Sequence, residues 1–79
     1  MNWRDYISVD PAVLTGKPVV KGTRLGVDFI LDLFAEGWTV DQVLENYPSL
    51  SPEALKAVFA YARESVSDGA LTPVHLGAA

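Results

Sequence analysis

The stretch Gly16-Lys17-Pro18-Val19-Val20-Lys21-Gly22-Thr23-Arg24 gathers two glycines, one proline and three of the six basic residues of a 79-residue chain. Glycine tolerates backbone conformations closed to other residues, and proline fixes φ and removes a donor. Flanking Val19-Val20 with both kinds predicts a short extended segment, residues 18–21, between two enforced bends. Pro18 cannot donate to a ladder, so it belongs at an edge or at the first position of its strand. The bends aim Lys17, Lys21 and Arg24 outward.

Working back from that segment, Tyr6-Ile7-Ser8-Val9 alternates and is stopped by Asp10-Pro11, which predicts a first strand at 6–9. Two such short strands form a marginal hairpin in water, one that packs on helices or pairs with a second copy. Trp3 and Tyr6 are candidates for that contact. Working forward, Val27, Ile30, Leu31 and Phe34 recur at helical spacing, with Gly37 placed to end a helix begun at Val27. Thr39 with Gln42 three residues later is a capping-box pattern, followed by Val40, Val43, Leu44 and Tyr47 on one stripe and ended by Pro48. Ser51-Pro52 opens a third helix whose predicted apolar face is Leu55, Val58, Phe59, Ala62 and Val66, running to about Ser67. The expected fold is mainly α: a three-helix bundle of homeodomain-like, helix-turn-helix form preceded by a short N-terminal β-hairpin. Residues 1–69 form one domain, and 70–79 are expected to be a flexible C-terminal tail.

A domain this small draws only about 3–5 kcal/mol from one core and needs a supplement. With no cysteine and one histidine, neither a disulfide nor a structural zinc supplies it, so a homodimer is expected. No uninterrupted apolar run reaches about 18 residues and no apolar leader precedes Trp3, so the expected location is the cytoplasm, with no membrane contact.

The net charge of −4 conceals a division. Residues 1–26 hold Arg4, Lys17, Lys21 and Arg24 against Asp5 and Asp10, a balance of +2; residues 27–79 hold Lys56 and Arg63 against eight acids, a balance of −6. A basic head precedes an acidic body. Phosphate contact relies on Lys and Arg, which makes Lys17, Lys21, Arg24 and Arg4 the candidate nucleic-acid-binding residues. On the first helix Asp28, Asp32 and Glu36 stand four apart in one line; carboxylates so arranged diverge into solvent instead of converging on a cation, and they are candidates for a basic partner protein. The third helix is the weaker candidate for DNA, because Glu53, Lys56, Arg63 and Glu64 cancel and Glu53 sits at its N-terminus.

Catalytic constellations are missing. A phosphate-binding loop needs a glycine five residues before Gly16-Lys17 and a hydroxyl after it, and Pro11 and Pro18 stand there. Acyl transfer needs a base beside a nucleophile, yet the one histidine, His75, lies in the tail. The expectation is a protein that is not an enzyme, with no cofactor, no metal and no small-molecule substrate. In the central stretch Gly16 and Gly22 are read as positions of positive φ, Pro18 as a strand start, Thr23 as a local bond in the turn, and Arg24 as able to pair with Asp28. Lys17 and Lys21 have no evident acid nearby.

The string Gly16-Lys17-Pro18-Val19-Val20-Lys21-Gly22-Thr23-Arg24, with Ile30, Leu33, Gly37, Asn46-Tyr47-Pro48 and Leu50, resembles the domain-of-unknown-function 433 family across residues 6 to 64. The resemblance implies a homeodomain-like three-helix fold. It also implies, through members regarded as VapB-type antitoxins, a type II toxin-antitoxin role: neutralising a PIN-like ribonuclease toxin and binding operator DNA. Gly26 stands where relatives often carry proline or serine, a departure touching the start of the first helix. The competing expectation is a structural or adaptor dimerisation module without DNA binding.

Overall fold

The computed structural model describes residues 1–12 and 16–67. The expected domain boundary at 69, the tail 70–79 and His75 lie outside the described residues. The fold is mainly α, three helices preceded by an antiparallel hairpin, as the sequence predicted. A 3-10 turn at Trp3–Asp5 leads into β1 (Ile7–Val9), which pairs with β2 (Pro18–Val20); α1 (Val27–Ala35), α2 (Val40–Asn46) and α3 (Pro52–Ser67) follow. Each strand is one residue shorter than expected. Tyr6 turns back, its N–H donating to the Trp3 carbonyl at 2.9 Å, and Lys21 enters a turn while still donating to the Tyr6 carbonyl at 2.8 Å.

The register pairs Ile7 with Val20, Ser8 with Val19 and Val9 with Pro18. Pro18 occupies the first position of its strand. The outer edge of β2 is closed by the chain itself: Val20 donates to the Leu25 carbonyl at 3.0 Å and Val19 bridges to Gly26. This edge is therefore already bonded within the chain.

Local signals set the helix ends. Past α1, Gly37 (φ 100°) donates to Phe34 at 3.0 Å and Trp38 to Leu33 at 3.0 Å, the paired bonds of a Schellman motif that satisfy carbonyls a helix end leaves open. The Thr39 hydroxyl accepts from Gln42 N–H at 3.1 Å while the Gln42 side chain accepts from Thr39 N–H at 2.8 Å, completing the capping box. The Ser51 hydroxyl accepts from Ala54 N–H at 3.1 Å and starts α3. Gly26 caps α1 without a side-chain bond, and the helix nevertheless begins at Val27.

The core lies where α1, α3 and the hairpin meet, with Val43 supplied by α2 and Ile30, Val43 and Val58 fully enclosed. Two apolar stripes are rotated from expectation. On α1, Val27, Ile30 and Leu33 are buried, whereas Leu31 and Phe34 are half-buried. On α3, Ala54, Leu55, Ala57 and Val58 are buried, whereas Phe59 and Val66 stand exposed. α3 packs against β1 and the 3-10 turn as well as α1, so its buried side is set by two neighbours at once. Among the described residues no helix is long and apolar enough to cross a membrane.

Truncating an enclosed side chain costs about 2–5 kcal/mol, comparable with the whole stability of so small a domain. Ile30→Ala is therefore expected to lose most of its helical far-UV circular dichroism at 25 °C, while Val40→Ala, at an exposed position, keeps it.

Candidate functional site

The central stretch folds as two turns around β2. Gly16 and Gly22 hold φ of 85° and 79°. Thr23 N–H donates to the Val20 carbonyl at 3.1 Å, closing a β-turn with Gly22 at its third position, where a type II turn requires φ near +80°. The Thr23 hydroxyl donates to the same carbonyl at 2.8 Å and accepts from Leu25 N–H at 3.0 Å. A Cβ on Gly22 would meet nothing within 4 Å, so backbone conformation alone demands glycine there.

The four candidate basic residues do not form one surface. Lys17 Nζ lies 3.6 Å from the carboxylate of Asp28, the acid with which Arg24 is able to pair by sequence position. Arg4 lies 3.3 Å from the Glu64 carboxylate, and its guanidinium stacks 4.4 Å above the Trp3 ring. The Trp3 indole N–H donates to the other Glu64 oxygen at 2.9 Å, and its ring meets Tyr61 edge-on at 4.8 Å. Trp3 thus contacts its own α3. Both ion pairs are exposed and worth about 0–1 kcal/mol, so they position side chains more than they stabilise the fold. Lys21 and Arg24 are exposed and make no ion pair with another described residue. Engagement of Glu64 also alters α3, whose exposed charges become Glu53, Lys56 and Arg63 in place of a balanced four.

A shallow hollow of about 380 Å³ opens beside the second turn, lined by Lys17, Arg24, Leu25, Gly26, Asp28 and Phe29. It joins the basic stretch to the first turn of α1, a juxtaposition set by the packing of α1 beside the turn and not by residue order. Phe29 was overlooked because it falls off the apolar stripe of α1; its ring instead meets Tyr47 edge-on at 5.7 Å. The three candidate partner residues Asp28, Asp32 and Glu36 are all exposed along α1, Asp28 shared with Lys17 and the other two unpaired with any described cation. Among the described residues no three His, Cys, Asp or Glu side chains come together.

A family model described as "Protein of unknown function (DUF433)" matches residues 7–62, from β1 into the last turns of α3. The chain belongs to the DUF433 family. It is similar to the uncharacterized protein y4eO of Sinorhizobium fredii (strain NBRC 101917 / NGR234), with 37% identity over 59 residues that make up 75% of this chain and 27% of y4eO. It is also similar to the crystal structure of a DUF433 member protein from Anabaena variabilis ATCC 29413, with a TM-score of 0.76 and 26% identity over 82% of this chain and 64% of that one. The chain spans about a quarter of y4eO and less than two thirds of the Anabaena protein. The span matched to DUF433 contains both turns and the hollow, but leaves out Trp3, Arg4 and Glu64.

Replacing Thr23 by valine removes both hydroxyl bonds and is expected to cost about 1–2 kcal/mol, read as a lower urea midpoint, while Thr23→Ser retains the wild-type value. Gly22→Ala is expected to lose about 1–2 kcal/mol through left-handed strain. Lys21→Ala, one position earlier and exposed, stays within about 0.5 kcal/mol of wild type. Equal losses in Thr23→Ser and Thr23→Val would show that the hydroxyl does not hold the turn.

Proposed function

We propose that this DUF433 chain is a non-enzymatic binding protein of the type II antitoxin kind, whose acidic body covers a basic ribonuclease toxin of PIN-like fold. The observation that carries this is the unpaired acidic surface. Asp32, Glu36, Asp41, Glu45 and Glu53 are exposed and meet no described cation, so their field is free to steer and hold a basic protein. Operator DNA is the second partner. With Arg4 and Lys17 held by acids, Lys21 and Arg24 on the turn after β2 are the phosphate-contacting residues of this proposal.

The adaptor reading has its own support. Gly16, Gly22 and Thr23 satisfy requirements of the fold, and Pro18 opens β2, so four residues of the string have structural roles without any ligand.

Co-expression with the adjacent gene product tests the first partner. Wild type is expected to co-purify with it and relieve its toxicity, and Glu36→Gln/Glu45→Gln, both outside the dimer contact proposed for α1 and α3, to weaken the complex with a reduced salt dependence. For DNA, Lys21→Ala/Arg24→Ala is expected to lower the salt slope of operator binding by about two per protomer. Unchanged operator affinity and slope in that variant would leave the adaptor function standing and remove the DNA contact.

A further inference from the structure

α3 carries more apolar surface than the core uses. At helical spacing Phe59, Ala62 and Val66 continue the row begun by Leu55, but the row emerges into solvent, with Phe59 44% and Val66 62% exposed. Phe59 is not isolated: its ring lies 5.0 Å from that of Phe34 on α1. Beside it a largely apolar hollow of about 330 Å³ runs between the two helices, lined by Pro18, Val27, Leu31, Tyr61 and Ala62 together with the polar Asp28 and Ser65. Leu31, Phe34, Phe59, Ala62 and Val66 therefore form one apolar strip across α1 and α3.

The strip has oppositely charged borders. Going round α3, Ala62 lies about 60° from Phe59 towards the hollow, and Lys56 and Arg63 lie about 40–60° from it on the other side. Going round α1, Phe34 lies about 60° from Leu31 on one side, and Asp28 and Asp32 about 60° and 100° from it on the other. All four charged residues are exposed; Asp28 also meets Lys17, and the remaining three make no ion pair with a described residue.

We propose that a second copy of this chain covers the strip, related by a two-fold axis running along it, so that α3 of each protomer lies over α1 of the other. Lys56 and Arg63 of each protomer then meet Asp28 and Asp32 of the other, twice by symmetry. A two-fold axis across the strip would set each basic border against itself and is disfavoured by like charge. Residues 68–79 match the borders poorly as an occupant, since they hold one acid, Asp68, and neither lysine nor arginine. The dimer does not rest on the antitoxin proposal: of the acids named there, Asp32 alone takes part in the dimer contact, and Glu36, Asp41, Glu45 and Glu53 do not.

Light scattering of the full chain after gel filtration tests it. Wild type is expected at twice the 8.5 kDa chain mass, and Phe59→Ser and Val66→Glu at the chain mass with unchanged far-UV circular dichroism. Two charge variants decide the arrangement even where an apolar variant fails to fold. Lys56→Glu/Arg63→Glu has two acidic borders and Asp28→Asn/Asp32→Lys two that are no longer acidic, so each alone is expected to be monomeric and their equimolar mixture to return to the dimer mass. A monomeric wild type, dimers undisturbed by Val66→Glu, or a mixture that stays monomeric would overturn the proposal. A wild type that dimerises only after residues 68–79 are removed would overturn it too, by assigning the strip to the chain's own tail.

Discussion

Val20 donates its backbone N–H to the Leu25 carbonyl at 3.0 Å, while its own carbonyl accepts both the N–H and the hydroxyl of Thr23. These bonds fold the chain back along β2 within six residues and deliver Gly26 to the start of α1. The hairpin and the start of the first helix are thereby tied to each other through backbone bonds, in addition to the side-chain packing of α1. A buried backbone group left unpaired costs free energy comparable to a lost hydrogen bond, and here the buried Val20 has both its polar backbone groups bonded. Ile7, Val20, Val27 and Ile30 can then share one core with α3 closing over them.

The same turn governs the electrostatics. Because Lys21 and Gly22 form its tip, Lys21 projects from the fold, and Arg24 leaves the turn on the exposed side just before α1. Lys17, placed at the other end of β2, comes instead within reach of Asp28. A run of three cations in the sequence is therefore divided into one that neighbours an acid and two that do not. The acidic body is less compensated than the basic head, and that imbalance is the charge distribution on which the proposed basic protein partner rests.

α3 reconciles two demands on one helix. Its small residues Ala54 and Ala57 face inward together with Leu55 and Val58, while bulkier Phe59 and Val66 are left at the surface. A monomer whose core is limited by its size leaves large apolar groups outside only where something else covers them or where exposure is tolerated. Opposite charges bordering the strip are the reason a second copy is proposed as its cover.

The sequence by itself determined the elements and most of their ends, because those signals act over a few residues. Gly37 closes α1, Thr39 with Gln42 opens α2, Ser51-Pro52 opens α3, and Gly22 turns the chain after β2. Each requirement is a backbone angle or a cap bond between near neighbours, legible without knowing the rest of the fold. The tertiary structure alone decided which side of each helix is buried and which charges are engaged. Leu33 went inside and Phe59 outside because α1 and α3 each pack against the hairpin as well as against each other, and periodicity leaves that rotation open. Arg4 met Glu64 across sixty positions for the same reason: contacts between residues distant in the chain exist only once packing has placed their elements side by side.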